Sequence, residues 1–214
     1  MTAAVLGRLQ GGLEQLYRVA TGLPVEAFLI DDAARATLGL ARAPREQLVV
    51  VECDDGIDVG LFVDRAVLAN LAAYDPGSGL DDRNLPAFLY ALEGVSHFVY
   101  AAVCAQGARA VSALELELQA EVDKYVTCLL AGDAAPGASA AWRARLYEQH
   151  SYEPDLDADE RDRYRVANDN ARRYAASLER RFVARRAIVD MFAELRRFYR
   201  LPLAGKLDVI GRAA

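Results

Sequence analysis

Apolar positions recur at three- and four-residue spacing through much of this chain, the period of one helix face. Leu6, Leu9, Leu13, Leu16 and Ala20 mark such a face over residues 3–20, which Gly22 and Pro24 close. Val25 to Ile30 is a short apolar run that reads as a strand, and Asp31-Asp32 opens a short Ala-rich helix. The period shortens at 47–64. Gln47–Asp54 and Ile57–Asp64 are strand-like runs around Asp55-Gly56, a strong hairpin signal. Pairing Asp54 with Ile57 sets Leu48 opposite Val63 and Val50 opposite Leu61. Leu48, Val50, Ile57, Val59, Leu61 and Val63 then share one buried face. A lone hairpin is marginal in water, so helices or a third strand must cover it.

The helical period then returns. Asp64 caps a helix over 65–74, and Asp82 or Asn84 caps a long apolar one over 85–106 that Gly107 ends. Ser112-x-x-Glu115 is a capping box for a helix over 113–131, striped by Leu114, Leu118, Val122, Tyr125 and Leu129. Gly132, Pro136 and Gly137 make a linker, and a short helix follows over 140–149. Asp157-x-x-Glu160 is a second capping box. The helix it opens is expected to run unbroken from 158 to about 200, because Tyr164, Ala171, Leu178, Phe182, Val189 and Phe192 hold one stripe and no break is forced before Leu201-Pro202. The predicted fold is mainly α (α+β): a helical core with one β-hairpin at about 47–64 and a long C-terminal helix. The organisation is a core over 1–131 and a helical region over 139–214, which either packs on that core or projects as an arm.

Composition narrows the function. A chain of 214 residues, 53% of them hydrophobic, buries enough surface to fold without disulfide or metal. Cys53, Cys104 and Cys128 are odd in number and form no C-x-x-C, so neither a disulfide framework nor a zinc knuckle is expected, and a cytoplasmic compartment is. No secretory leader pattern is read at the N-terminus. The segment between Arg83 and Arg109 is long enough to span a bilayer, but Glu93 and His97 in its middle predict a buried helix of a soluble domain, with no membrane partner. The net charge of −6 argues against general nucleic-acid binding. The 23 arginines against 2 lysines, with abundant alanine, point to a GC-rich bacterial genome.

Two clusters carry candidate chemistry. Glu93 and His97 are four apart on one helix, and Glu117 and Glu121 are four apart on the next, so their side chains are neighbours within each helix. If the two helices lie antiparallel, three carboxylates and one imidazole converge. Such a set suits iron, manganese or zinc, or general acid/base work by Glu93 and His97. The alternative pairs Glu93 with His97 inside the helix and leaves Glu117 and Glu121 to solvent, Lys124 or an arginine. His150, among Tyr147, Glu148, Tyr152 and Glu153, is a candidate site wall. The second cluster is basic: residues 161–200 hold 12 arginines against 5 acids. Arg172, Arg173, Arg180 and Arg181, interleaved with Phe192 and Phe198, form a candidate contact surface.

No Walker loop, dinucleotide fingerprint, EF-hand loop, His-Glu-x-x-His or nucleophile elbow is present. The sequence identifies no cofactor. The favoured expectation is therefore a non-catalytic interaction or regulatory protein, acting through the basic amphipathic helix on a protein partner or on its own copy. A metal-dependent or acid/base enzyme built on Glu93, His97, Glu117 and Glu121 is the alternative. Nucleic-acid binding through the arginines is the third.

Overall fold

The computed structural model describes residues 3–38, 44–53, 56–132, 137–149 and 155–213. Helices dominate it, with one small sheet, as the periodicity predicts. The first helix, α1 (Ala3–Tyr17), ends at Arg18, which takes a positive φ of 52°. The expected strand at 25–30 is mostly a 3-10 turn, Val25–Phe28, and only β1 (Leu29–Ile30) is extended. Then come α2 (Asp32–Thr37), β2 (Glu46–Cys53), β3 (Gly56–Val63) and α3 (Arg65–Ala73). Asp31 caps α2 and Asp64 caps α3, each accepting from a backbone N–H.

The sheet order is β1-β3-β2, with β1 parallel and β2 antiparallel to β3. The hairpin forms, but in a different register. Cys53 pairs with Gly56, Leu48 with Leu61 and Val50 with Val59. The expected turn falls partly outside the described residues. A slip of two preserves which face each side chain takes, so Leu61 and Val63 are buried as expected. Leu48 and Val59 are half-buried, and Val50 is 51% exposed. It lies toward the hairpin tip, whereas the core helices cover the base.

The two central helices match the sequence reading residue for residue: α4 (Leu85–Gln106) and α5 (Ala113–Ala131). Ser112 caps α5 by accepting from the Glu115 N–H. Asn84 stands at the α4 N-cap, but its side chain serves the preceding loop instead, donating to the Gly79 carbonyl at 2.8 Å. Among the described residues α4 is the one helix long and apolar enough to cross a membrane, and most of it is buried inside the protein. It packs on α5, α1, α3 and both long strands.

After α6 (Ala138–Tyr147) comes α7 (Ala158–Leu178), which opens on the Asp157–Glu160 capping box with both reciprocal bonds made. The unbroken C-terminal helix is not observed. α7 passes into a π-helical turn, Glu179–Val183, and Arg186 reverses the chain at φ 55°. Then α8 (Ile188–Tyr199) and α9 (Leu203–Ala213) fold back. Phase explains the break. The buried stripe of α7 ends at Leu178, and that of α8 is Met191, Leu195 and Phe198. At about 100° per residue a continuous helix would set Met191 roughly 220° around from Leu178, on the opposite side. Breaking the helix brings both stripes into one core, at a cost of about 1–2 kcal/mol for the left-handed arginine. Phe198, expected on a contact surface, is fully buried and stacks on Tyr174 with ring centroids 4.0 Å apart. Tyr199 stacks likewise on Tyr17 of α1, at 3.9 Å.

Candidate functional site: a buried glutamate–histidine cluster

Two polar layers run through the otherwise apolar contact between α4 and α5. Each arises from four-residue spacing on α4: Glu93 with His97, and Ser96 with Tyr100. On α5 the matching rows are Glu117, Glu121 and Lys124, and Glu115, Gln119 and Asp123.

In the first layer, Glu93, His97 and Glu117 are all buried and offer ligand atoms within 4.8 Å of one another. His97 Nε2 lies 3.4 Å from Glu117 Oε2, yet makes no aligned hydrogen bond. His97 Nδ1 lies 3.7 Å from Glu46 Oε1 at the start of β2. Glu46 Oε2 is also buried without a hydrogen-bond partner. Gly94 makes this approach possible, since a Cβ there would stand 2.9 Å from Glu46 Oε2 and 3.0 Å from Leu61 Cδ1. Glu121 joins through Lys124, whose Nζ is 2.7 Å from Glu121 Oε1 and 2.8 Å from Glu93 Oε2. Arg163 of α7 reaches within 3.9 Å of Glu117 Oε1.

The electrostatics follow from burial. Desolvation pushes the Glu46 carboxyl up to about 8, against the pull of His97 and Lys124. His97 is pushed up to about 9: burial works against its charge, but Glu117 and Glu46 outweigh it. Glu93 is desolvated too, yet Lys124 and His97 hold it below the usual carboxylate range. Desolvation leaves Glu121 raised.

Glu46, Glu93, Glu121 and Lys124 also line a cavity of about 470 Å³. Leu85, Leu89, Tyr90, Leu146, Leu156 and Tyr164 supply its apolar walls, and Arg45, Arg145, Gln149 and Asn168 add polar groups. Glu46, Glu93, Glu121 and Lys124 thus form the charged end of a chamber sized for a small organic molecule, and Glu93 connects it to His97 and Glu117, which do not line it.

The second layer faces away from this cavity. Asp123 accepts from Tyr17, from Ser96 Oγ at 2.6 Å and from Gln119 Nε2 at 2.8 Å. Lys206 of α9, with no exposed surface, donates to Gln119 Oε1 at 2.6 Å. Burial pushes Lys206 down to about 7 and Asp123 up to about 6. None of these groups lines the cavity. They tie α1 and α9 to the central helices.

The sequence expectations are met unevenly. Glu93, His97 and Glu117 come together, while Glu121 is set back behind Lys124. Of the alternative, the pairing of Glu121 with Lys124 and of Glu117 with an arginine, Arg163, is present, whereas Glu93 meets Lys124 and His97 meets Glu46 and Glu117. Glu46 was not foreseen, although it has the parity of Leu48, and a charge on the buried face of a hairpin is a legible signal. His150 lies outside the described residues. Arg172, Arg173, Arg180 and Arg181 are exposed and Phe192 is half-buried. Arg180 bonds the Ala213 carbonyl and Arg181 meets Glu194 at 3.4 Å. Comparison with protein-family models, with curated proteins and with solved structures finds no match to this chain.

Proposed function

We propose that this chain is an enzyme whose site holds a divalent metal ion on Glu93, His97 and Glu117, next to a small-molecule chamber. One observation carries the reading. His97 Nε2 is buried 3.4 Å from the Glu117 carboxylate without an aligned hydrogen bond, while Nδ1 faces another carboxylate, Glu46, and Glu93 completes a set of ligand atoms within 4.8 Å of one another. A metal-binding imidazole has this environment: one nitrogen turned to the ion, the other fixed by a carboxylate behind it. Opposite ligands of a bound ion stand about 4.2 Å apart at most, so shifts of well under an ångström close this set.

Charge supports the reading. Three buried carboxylates, Glu46, Glu93 and Glu117, and the largely buried Glu121 meet two cations, Lys124 and Arg163. The two negative charges left over are cancelled by one divalent ion. Without it, protons on His97 and Glu46 do the same work. Imidazole with carboxylates suits manganese, iron(II) or zinc. Such an ion activates water or polarises an oxygen of the bound molecule. The apolar walls select a small molecule with an apolar body. Elemental analysis of untagged protein prepared without chelator tests the reading. A stoichiometric transition metal that disappears in folded His97→Ala is expected; a metal-free wild type prepared in metal-supplemented medium refutes it.

A second reading, a protein or self-association surface, rests on the exposed arginines at 172, 173, 180 and 181 and on Val189, which is 80% exposed beside them in sequence. Its partner is acidic. Truncating 157–214 does not test it, because that segment supplies core residues. Sedimentation of wild type and of Arg172→Glu/Arg173→Glu does: association lost in the variant and at high salt supports self-association, and a monomer at all salt concentrations counts against it. Nucleic-acid binding by the same face predicts salt-dependent retention of a generic oligonucleotide, which the double variant abolishes.

A further inference from the structure

We infer that the site accepts one metal ion and not two, because the Lys124 ammonium occupies the position of a second cation between Glu93 and Glu121. This rests on the metal reading of Glu93, His97 and Glu117. By ligand count alone the cluster has room for a pair: four carboxylates and an imidazole are gathered in one buried layer. Two-metal centres place their ions about 3.5–4 Å apart. Here Glu93 has that sharing role. It belongs to the His97–Glu117 set and also lies 2.8 Å from Lys124 Nζ, which lies 2.7 Å from Glu121. The ammonium contacts the two carboxylates that a second ion would need.

The composition gives independent support. The chain uses arginine at 23 of its 25 basic positions. Arginine is its default cation. The two lysines, Lys206, which is buried, and Lys124, whose side chain is 12% exposed, both reach into the polar layers between α4 and α5. An ammonium is a compact point charge that fits where a metal ion would, whereas a guanidinium is a planar fork that does not. Charge balance agrees. With Lys124 and Arg163 present, one divalent ion neutralises the four carboxylates, and a second would leave two positive charges in a buried site, an arrangement strongly disfavoured.

The test is a manganese(II) titration of chelator-stripped protein, with free ion counted by electron paramagnetic resonance and the fold checked by circular dichroism. Wild type is expected to take one equivalent. Lys124→Ala and Lys124→Gln, which vacate the position and remove its charge, are expected to take two. Lys124→Arg keeps the charge and loses the fit, so it takes one, bound about tenfold or more weakly. Two equivalents in wild type, or one in both folded neutral variants, overturn the inference. If the neutral variants fold only with manganese, the count in the folded complex is read the same way. Failure to fold at any manganese concentration also overturns it, because a counter-cation that stands in for a metal can be replaced by one. No binding to wild type refutes the underlying metal reading instead, so the two failures are distinct.

Discussion

Replacing Gly94 with alanine separates the stability of the fold from the integrity of the site. The new Cβ would stand 2.9 Å from Glu46 Oε2 and 3.0 Å from Leu61 Cδ1, both closer than contact allows. Leu61 is fixed in the core, whereas the Glu46 carboxylate is the end of a flexible side chain, so Glu46 gives way. Overpacking costs about 1–3 kcal/mol. Alanine in a helix interior returns about 1 kcal/mol over glycine. The net loss is then about 0–2 kcal/mol, a fall in Tm of no more than about 8 °C for a chain of this size. The site suffers more. Glu46 leaves its 3.7 Å approach to His97 Nδ1, and an imidazole without its orienting carboxylate binds metal about 10- to 100-fold more weakly. Calorimetric titration with zinc or manganese, beside a thermal melt, measures both effects. An unchanged affinity would refute the view that Glu46 orients His97. A stability loss above about 4 kcal/mol would refute the view that the carboxylate, and not the backbone, moves.

Three further outcomes are expected. A carboxyl whose folded pKa is raised to about 8 loses stability as pH climbs from about 4.5 to about 8, because the unfolded chain ionises first. Glu46→Gln removes that loss, so in metal-free protein its stability relative to wild type improves by on the order of 4 kcal/mol between pH 4.5 and 8; urea titrations that show no trend with pH would exclude it. Asp123→Ala strands the donors of Tyr17, Ser96 and Gln119 in the core and costs about 3–5 kcal/mol by urea denaturation, whereas a cost below about 1 kcal/mol would mean the network is not formed. Phe198→Ala costs about 3–5 kcal/mol in the same assay if α8 is part of the core, and close to nothing if that helix is a projecting arm.

Local signals in the sequence were sufficient where local chemistry decides the structure. The Ser112 cap, the Asp157 capping box and the Gly107 stop place α4, α5 and the start of α7, because a cap is satisfied within a few residues, although Glu115 turns to Tyr100 and Arg109 and does not close the box on Ser112. The i,i+4 spacing likewise exposes Glu93 with His97 and Glu117 with Glu121. What depends on distant packing was not legible in this way. The hairpin register is decided by which residues the core helices cover, so Asp55-Gly56 located the hairpin without fixing its pairs. The break after Leu178 has no glycine or proline to announce it. Its trace is a phase shift between the stripe ending at Leu178 and the one through Met191, Leu195 and Phe198, and following Val189 and Phe192 instead conceals it. Glu46 reaches His97 across 51 positions of sequence, and only the parity of β2 hints that it points inward.

A metal ion at His97 is the centre of the proposed site. Anomalous diffraction from crystals grown with manganese or zinc, collected at the absorption edge of the added metal, measures this directly. The account predicts a single anomalous peak about 2.0–2.2 Å from His97 Nε2 and from carboxylate oxygens of Glu93 and Glu117, with Nδ1 turned to Glu46 and Lys124 still between Glu93 and Glu121. A map without a peak there at saturating metal, with His97 Nε2 hydrogen-bonded to Glu117, would contradict it and make the cluster a buried network of shared protons.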